Sequence, residues 1–248
     1  MYNPFSLENK KILITGASSG IGRSTAIECS KLGASVIITG RNNESLNETY
    51  KQLEGNEHIQ LIADLTNPED IDNLLKGLPA IDGCVQNAGI VKTLLTQYIS
   101  EKSLNEVMRI NTIVPILLTQ LLVKRKIINK NGSIVFTSSI SGTIIASYGN
   151  VLYSTSKGAI NGFIKNAALD LAQKNIRVNS VNPGMIQTEI FHEGAISQEQ
   201  LMEDAKKYPL KRHGKPEEVA YAIIYLLSDA SAWVTGSNLL IDGGLTLQ

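Results

Sequence analysis

The chain has 248 residues, of which 43% are hydrophobic and 19% are charged, a composition typical of a globular protein. Lys and Arg total 23 and Asp and Glu total 23, so no overall charge attracts nucleic acid or an anionic membrane. We expect neither partner. The three histidines lack metal-ligand spacing, so we expect no metal. Cys29 and Cys84 lie in apolar segments, which favours free, buried thiols over a disulfide.

Localisation and domain organisation are read from segments that the sequence lacks. Residues 1–11 are polar and contain no apolar core of signal-peptide length. No later stretch reaches the roughly 18 uncharged apolar residues of a membrane span. We therefore expect a cytoplasmic protein. No linker or low-complexity tract interrupts the chain between Lys10 and Gly244, so we expect one domain over 1–248.

Short β-branched segments alternate with longer helical patterns along the chain. The predicted strands are Lys11–Thr15, Val36–Thr39, Ile59–Ala63, Gly83–Asn87, Ser133–Ser138, Arg177–Asn182 and Asn238–Asp242. The predicted helices are Gly20–Leu32, Glu44–Leu53, Pro68–Leu75, Glu101–Lys124, Tyr153–Gln173 and Pro216–Leu227. Strands joined by helices run parallel with right-handed crossovers. We expect an α/β fold: a single-domain, doubly wound (Rossmann) parallel seven-stranded sheet with helices on both faces.

A glycine-rich turn, Thr15-Gly16-Ala17-Ser18-Ser19-Gly20-Ile21-Gly22, follows the first predicted strand and opens a helix. Gly16 allows a tight turn, Gly20 lets backbone N–H groups approach a pyrophosphate, and Gly22 permits close helix–strand packing. The helix N-terminus adds partial positive charge. The pattern predicts a dinucleotide site, the alternative being glycines that only shape a turn.

The end of the second predicted strand, Thr39-Gly40-Arg41-Asn42, has no carboxylate for a ribose 2′-hydroxyl. Arg41 can instead form charge-assisted hydrogen bonds to a 2′-phosphate, to which Asn42 and Ser19 can add neutral ones. We therefore expect NADP(H) as the preferred cofactor, with NAD(H) possible. A solvated surface arginine is the alternative. Asp64 is placed either to accept from the adenine amino group or to cap the next helix.

Further motifs follow in order: Asn87-Ala88-Gly89, Asn111, Ser139, Tyr153-x-x-x-Lys157 and Pro183-Gly184-x-x-x-Thr188. With the glycine-rich turn, they make the chain resemble a classical short-chain dehydrogenase/reductase over essentially its whole length. The resemblance implies cofactor contacts at Gly16, Ser18, Ser19, Gly20, Ile21, Gly22, Arg41, Asn42, Asp64, Leu65, Asn87, Ala88, Gly89, Tyr153, Lys157, Pro183, Gly184, Ile186 and Thr188.

A closer similarity, to the 3-oxoacyl-[acyl-carrier-protein] reductases, rests on three C-terminal segments. They are Pro209-Leu210-Lys211-Arg212, the run from Lys215 to Ala220 and Val234-Thr235-Gly236. The resemblance implies hydride transfer between nicotinamide and a carbonyl or secondary alcohol of a small molecule or acyl thioester, which an acyl carrier protein could carry.

Tyr153 and Lys157 are four residues apart on a predicted helix, so both side chains project from one face. A nearby lysine cation favours the ionised form of a phenol, whose pKa is otherwise near 10. Tyr153 can thus be the general acid for reduction and the general base for oxidation. Ser139 can hydrogen-bond the substrate oxygen as negative charge grows on it. By resemblance, Lys157 also holds the nicotinamide ribose, and Asn111 bends its helix and holds a water that links Lys157 to solvent.

Two departures from the family pattern stand near these residues. Gln86 replaces the first asparagine of the usual Asn-Asn-Ala-Gly, which we expect to have little effect. The interval from Ser139 to Tyr153 is one residue longer than in the family. Either the 144–152 loop bulges or the serine is misassigned. We favour Ser139 over Ser138 and Ser141 because Ile140-Ser141-Gly142 follows it as in the family's Ser-x-x-Gly.

The substrate is poorly encoded in the sequence. Residues 189–208 occupy the place of the family's substrate lid. The residues Val151, Leu152, Ile144, Ile145 and Met185 suggest a partly apolar wall, although they can equally just pack the loop. Basic residues Lys124, Arg125, Lys126 and Lys130 could meet an acidic carrier protein, but a solvated helix end is the favoured interpretation.

Three function classes compete. The first is a 3-oxoacyl-type reductase or a relative acting on a sugar, polyol or other small hydroxyl compound. A non-catalytic nucleotide-binding regulator would typically lose the tyrosine or lysine, and an epimerase or dehydratase would usually carry an additional substrate domain. We also expect a homotetramer, on resemblance and because the two long helices carry surplus apolar residues: Ile113, Leu117, Leu121, Ala159, Phe163 and Ala167.

Overall fold

The computed structural model describes residues 2–188 and 197–248. The strands are β1 (Lys11–Thr15), β2 (Ser35–Gly40), β3 (Ile59–Ile62), β4 (Ile81–Gln86), β5 (Ile128–Thr137), β6 (Arg177–Pro183) and β7 (Asn238–Ile241). They form one sheet in the order β3-β2-β1-β4-β5-β6-β7, and every neighbouring pair is parallel. The predicted seven-stranded doubly wound α/β fold is confirmed.

Helices cover both faces of the sheet. They are α1 (Gly20–Lys31), α2 (Asn43–Tyr50), α3 (Pro68–Gly77), α4 (Glu101–Met108), α5 (Val114–Lys124), α6 (Val151–Ala172), α7 (Gln198–Lys206) and α8 (Pro216–Leu227). In one hydrophobic core, α3, α5 and α6 pack against one face of the sheet. In the other core, α1, α2 and α8 pack against the opposite face. On β1, Leu13 enters the first core while Ile12 and Ile14 enter the second. Alternation along a strand buried on both faces explains its uninterrupted apolar sequence.

The order of the strands places the crevice. The chain runs outward from β1 to β3 and then returns to add β4 on the other side of β1, where Ile14 pairs with Val85. The connections after β1 and after β4 therefore leave from adjacent strand ends and diverge to opposite faces. A ligand crevice lies at such a point in this class of sheet.

The predicted helix Glu101–Lys124 is interrupted, which corrects the expectation of one continuous element. α4 and α5 are separated by a turn of π-helix at Arg109–Ile113, and Pro115 lies in the first turn of α5. The whole stretch is long and apolar enough to cross a membrane by length and composition alone. In this fold its apolar side chains Val114, Leu118 and Leu122 are buried in the core. A core helix meets the same criterion.

Other boundaries differ at the ends of elements. β5 begins at Ile128, five residues before the predicted start at Ser133, because Ile128 pairs with Ile81 ahead of a register shift. Polar residues and the positive φ of Asn131 (65°) hide that first part of β5 from a pattern search. Helix α7 lies inside the predicted lid, 189–208, whereas residues 189–196 lie outside the described residues. The remaining predicted ends shift by up to three residues.

Candidate active site

The glycine-rich turn is in close contact with the segment after β4. A Cβ on Gly16 would lie 2.8 Å from the Ala88 Cα, and one on Gly22 would lie 2.2 Å from the Gly16 carbonyl oxygen. Gly16 and Gly20 also have positive φ, 63° and 52°. Side chains are thus excluded by contact at Gly16 and Gly22 and disfavoured by conformation at Gly16 and Gly20.

Thr15 and Asn87 hold this contact together. The Thr15 hydroxyl accepts the N–H groups of Asn87 at 2.9 Å and Ala88 at 3.1 Å, and donates to the Val85 carbonyl at 3.2 Å. The Asn87 amide donates to the carbonyl oxygens of Thr15 at 3.2 Å and Gly16 at 3.1 Å. Sequence reasoning named Asn87 but missed Thr15, although a threonine ending a buried apolar strand was the available signal.

The N-terminus of α1 faces the crevice with donors available. Ser19 is its N-cap residue and makes no side-chain hydrogen bond to the first turn, where Gly20 and Ile21 begin the helix. A Cβ on Gly20 would lie 3.1 Å from the Thr188 side chain, so Thr188 stands across the turn from α1. Backbone N–H groups at an uncapped helix N-terminus fit a pyrophosphate group, which is the anion that the motif predicts.

The carboxyl ends of β2 and β3 are more exposed. Arg41 is exposed, and Asn42 caps α2 by accepting the Ser45 N–H at 3.0 Å, a structural role that the sequence prediction did not include. Asp64 accepts the N–H and hydroxyl of Thr66 at 2.9 and 2.7 Å, and these hydrogen bonds lower the pKa of its carboxyl, with a smaller contribution from Arg41.

The N-terminus of α3 decides one of the two roles considered for Asp64. Asn67, and not Asp64, is the N-cap residue of α3, where its side chain accepts the Glu69 N–H at 2.9 Å. Capping by Asp64 is therefore wrong. The side chain of Leu65 is buried in the core, which leaves its backbone as the part that borders the crevice.

Tyr153 and Lys157 face the crevice from the first two turns of α6. The Lys157 ammonium is buried, donates to the Thr137 carbonyl at 2.7 Å and lies 5.5 Å from the centroid of the Tyr153 ring. Burial lowers the pKa of Lys157 to about 8. Burial raises the pKa of the Tyr153 phenol, and a hydrogen bond from Ser139 lowers it. The expected one-face arrangement is present, with the Thr137 carbonyl as an unforeseen partner.

Ser139 is the serine that reaches Tyr153. Its hydroxyl accepts the Ser141 N–H at 3.1 Å, which leaves its proton to donate toward the phenol. The Ser138 hydroxyl points to the Lys157 carbonyl at 3.3 Å, and the Ser141 hydroxyl lies 3.4 Å from the Asn150 amide. The segment after Ser139 turns tightly, since the N–H groups of Ile144 and Ile145 both donate to the Ile140 carbonyl.

Asn111 lies within the π-helical turn. Its carboxamide accepts the Ile90 N–H at 2.8 Å and donates to the Ile90 carbonyl at 2.9 Å and to the Ser156 hydroxyl at 3.0 Å. A Cβ on Gly89 would lie 3.1 Å from the Asn111 oxygen and 3.7 Å from the Lys157 nitrogen. At this π-helical turn, Asn111 contacts both the segment after β4 and α6.

The segment after β6 is supported from the C-terminal part of the chain. The Gly184 N–H donates to the Ile241 carbonyl at 2.9 Å, and Ile186 forms a β-bridge with Gly214. The Met185 N–H donates to the Tyr208 hydroxyl at 3.1 Å. His213, to which sequence reasoning gave no role, is buried with its Nε2 3.0 Å from Asp204 of α7. Its loop-like, polar sequence context carried no signal of that burial.

The predicted apolar wall is only partly present. Leu152 is buried in the fold and does not line the crevice, whereas Ile144, Val151 and Met185 are exposed. The basic cluster lies elsewhere. It ends α5 and begins β5, at the amino edge of the sheet, and Arg125 pairs with Asp72 at 2.8 Å. Even Lys130, its last member, lies seven residues before the end of β5 at the carboxyl edge, roughly 23 Å away. The solvated helix end is the better interpretation.

Comparison with known proteins gives the family. A family model described as Enoyl-(Acyl carrier protein) reductase, one of the short-chain dehydrogenase models, matches residues 16–246. The chain belongs to the short-chain dehydrogenase/reductase family. It is an oxidoreductase by that membership, and the matched range contains the three glycines of the glycine-rich turn together with Asn111, Ser139, Tyr153 and Lys157.

Relatives and solved structures match over nearly the whole chain. The 3-oxoacyl-[acyl-carrier-protein] reductase FabG of Thermotoga maritima is 37% identical over 97% of this chain and 99% of that protein. A short-chain type dehydrogenase/reductase from Mycobacterium marinum is 33% identical, with a TM-score of 0.87 and coverage of 99% and 98%. A protein from Agrobacterium tumefaciens, provisionally named 2-deoxy-D-gluconate 3-dehydrogenase and solved with bound NADP, is 29% identical, with a TM-score of 0.88 over all of both chains.

Proposed function

We propose that this short-chain dehydrogenase/reductase is an NADP(H)-dependent reductase of 3-oxoacyl thioesters, which an acyl carrier protein can present. The observation that carries the proposal is the Ser139–Tyr153 hydroxyl pair beside the buried Lys157. A carbonyl oxygen placed between the two hydroxyls would meet two donors at once. The name of the Thermotoga maritima relative, 3-oxoacyl-[acyl-carrier-protein] reductase, supports this substrate class.

In this proposal Ser139, Tyr153, Lys157 and Asn111 each have a defined role. The Ser139 hydroxyl donates to the substrate oxygen as negative charge develops there, which stabilises the transition state more than the ground state. Tyr153 gives its phenolic proton to that oxygen in reduction and takes it back in oxidation. Lys157 holds the nicotinamide ribose and keeps positive charge beside the phenol. Asn111, in the π-helical turn, holds a water that links Lys157 to solvent, so that protons can be replenished. The bound nicotinamide supplies or accepts the hydride.

The cofactor would lie across the top of β1 and β4. The remaining contacts are proposed from the segments that meet there: Gly16, Ser18, Ser19, Gly20, Ile21, Gly22, Asp64, Leu65, Asn87, Ala88, Gly89, Pro183, Gly184, Ile186 and Thr188. Preference for NADP(H) rests on Arg41, which is exposed where a 2′-phosphate would extend from the ribose. The NADP bound to the Agrobacterium tumefaciens protein is consistent with this preference, although NAD(H) could bind more weakly.

A second substrate class has its own supporting observation. The Agrobacterium tumefaciens protein, provisionally named as a dehydrogenase of a sugar acid, matches this fold over all of both chains. Against it, the exposed residues between Ser139 and Tyr153 include the apolar side chains of Ile144 and Val151, beside the polar Thr143 and Ser147. An apolar rim favours an acyl chain over a polyol, because a polyol needs hydrogen-bond partners in each position.

One substrate screen separates the two classes. The oxidation of NADPH would be followed by its absorbance, with acetoacetyl thioesters in parallel with ketoses and keto-sugar acids. We expect the thioesters to have the highest kcat/KM. A higher kcat/KM for any sugar would overturn the proposed substrate class while leaving the oxidoreductase chemistry unaffected.

The remaining proposals concern assembly, domain organisation and localisation. We propose a homotetramer of single-domain, cytoplasmic subunits with a substrate lid over 189–208. Ile113 in the π turn, Leu117 on α5 and Ala159 on α6 are exposed, while Ala167 of α6 is buried within the subunit. Part of the apolar surface is therefore available for subunit contact. Light scattering at micromolar concentration should give four times the mass of 26.9 kDa, and a monomer mass would reject the tetramer.

A further inference from the structure

Asn182, near the end of β6, contacts the segment that carries Ser139. Its amide nitrogen donates to the backbone carbonyl of Ser139 at 3.0 Å, and the side chain is buried. The adjacent backbone is held as well, because the Ile140 N–H donates to the Pro183 carbonyl at 3.2 Å. Both polar groups of the Ser139–Ile140 peptide are thus bound by two consecutive residues of β6.

Pro183 ends the backbone ladder between β6 and the Ser139 segment. The Ser138 N–H donates to the Val181 carbonyl at 2.9 Å and the Ile140 N–H to the Pro183 carbonyl at 3.2 Å. In a parallel ladder the N–H of residue 183 would donate back to the Ser138 carbonyl, but proline has no N–H. The Asn182 amide donates instead to the next carbonyl, that of Ser139, so β6 still binds this segment with a donor as well as with acceptors.

A second contact supports this orientation of Asn182. The Ser180 hydroxyl lies 2.8 Å from the Asn182 amide oxygen and 2.9 Å from that of Asn238, so its single proton is shared between two acceptors. With its oxygen toward Ser180, the Asn182 amide presents its nitrogen to Ser139. Asn161 of α6, one turn beyond Lys157, lies 3.5 Å from the same hydroxyl and donates to the Thr143 hydroxyl at 3.3 Å. The buried polar side chains therefore join β6, the Ser139 loop and the helix that carries Tyr153.

We propose that Asn182 is a positioning residue, which sets the Ser139 hydroxyl against Tyr153 by holding the Ser139–Ile140 peptide. The inference rests on the proposed function, since it gives Asn182 a role only through Ser139. A displacement of a reacting group by about 1 Å can cost up to 100-fold in rate. Loss of the amide should therefore lower kcat and leave the binding of NADPH unchanged.

A double-mutant cycle with Ser139→Ala tests the proposal. We expect Asn182→Ala to lower kcat about 10-fold or more in the otherwise unchanged enzyme. In the Ser139→Ala background it should lower kcat less than about twofold, because the group that it positions is gone. Equal losses in both backgrounds, or no loss in the first, would overturn the inference. KM for NADPH should stay the same in every variant.

Two more variants control for simple destabilisation. Asn179, a buried asparagine on the same strand, bonds to Val234 and Ser237, away from Ser139, so Asn179→Ala should lower Tm without lowering kcat. If Asn182→Ala does not fold, Ser180→Ala removes the orienting donor instead. It should lower kcat in the presence of the Ser139 hydroxyl and not in its absence, and any other pattern rejects the role. A Ser139→Ala variant with full activity would instead reject the proposed function.

Discussion

The two ends of the crevice are built in different ways. At the catalytic end, Ser139, Lys157 and Asn111 are buried, and each makes hydrogen bonds to neighbouring elements. At the adenosine end, Arg41 and Asn42 are exposed. Asn42 is held by a bond to its own helix, while Arg41 acts on Asp64 through charge alone.

This difference corresponds to what each end must do. Proton and hydride transfer depend on distances within a few tenths of an ångström, which only packed and hydrogen-bonded groups can maintain. Discrimination between a 2′-phosphate and a 2′-hydroxyl requires only that a charged side chain stands at the carboxyl edge of the sheet, near the ribose. We therefore expect substitutions to reduce the rate at one end and to change the choice of cofactor at the other.

The largest effect should come from Tyr153→Phe. Removing the hydroxyl deletes the proposed proton donor but keeps the ring and its packing, so we expect kcat to fall about 10²-fold or more. The dissociation constant of NADPH, measured by fluorescence titration, should stay nearly unchanged. A variant with substantial turnover would show that another group supplies the proton.

Alanine substitutions of Ser138, Ser139 and Ser141 should show which of these neighbouring serines acts on the substrate at the catalytic end. We expect Ser139→Ala to lower kcat on the order of 10²-fold, the cost of one donor to a developing oxyanion. Ser138→Ala and Ser141→Ala are matched controls, since their hydroxyls point to the Lys157 carbonyl and toward Asn150. Steady-state kinetics of the three would contradict our interpretation of the loop if Ser141→Ala were the most damaging.

Replacing the positive charge at the adenosine end by a negative one should change the cofactor preference. With Asp at position 40 and a small neutral residue at 41, NADPH binding should weaken by about 1.5–3 kcal/mol, the scale of a charged hydrogen bond, while NADH binding is kept or improved. The backbone can accept Gly40→Asp, because a Cβ there meets its nearest atom at 3.5 Å. The measurement is the ratio of kcat/KM for the two cofactors.

The matched control for that exchange is Lys51→Ala, which removes an equal charge beyond the far end of α2. Lys51 pairs with Glu48 at 3.2 Å, and its removal should leave the cofactor ratio unchanged. A wild-type preference for NADH would mean that Arg41 points into solvent and that the ribose is recognised by other groups.

The pKa of Lys157 predicts a pH dependence at the catalytic end. Because burial lowers it to about 8, kcat/KM for NADPH should fall roughly tenfold per pH unit above that value as the ammonium is lost. Lys157→Arg keeps its charge, so this fall should disappear. In the cofactor-free protein, the buried Lys157 charge lowers the free energy of unfolding at every pH below about 8. This loss decreases as the pH rises from about 8 to about 10.4, the pKa of lysine in the unfolded chain. Stability should therefore rise across that interval relative to Lys157→Met.

The sequence predicted some parts of this molecule well. β1 and α8 match their predicted bounds, because uninterrupted apolar residues and a proline at the first helical turn are local signals. The order of the motifs also selected Tyr153, Lys157 and Ser139, which the structure brings together. The first part of β5 was missed because its pairing with β4 is set by a distant strand. Asn182 and Thr15 were missed because their partners are distant in sequence, at Ser139 and Asn87.

Substitutions of Asn42 should have the smallest effects. They can separate its capping of α2 from a contact with the 2′-phosphate. Asn42→Ala removes the cap of α2, so it should lower the free energy of unfolding by about 1 kcal/mol, measured as a lower Tm. It should change the NADPH to NADH ratio less than about twofold, since the capping oxygen already faces Ser45. Asn42→Asp keeps an acceptor for that cap and places a carboxylate near the 2′-phosphate, so it should preserve Tm and disfavour NADPH. If Asn42→Ala alone shifted the ratio strongly, Asn42 would contact the phosphate directly, and the adenosine end would depend on fixed geometry as the catalytic end does.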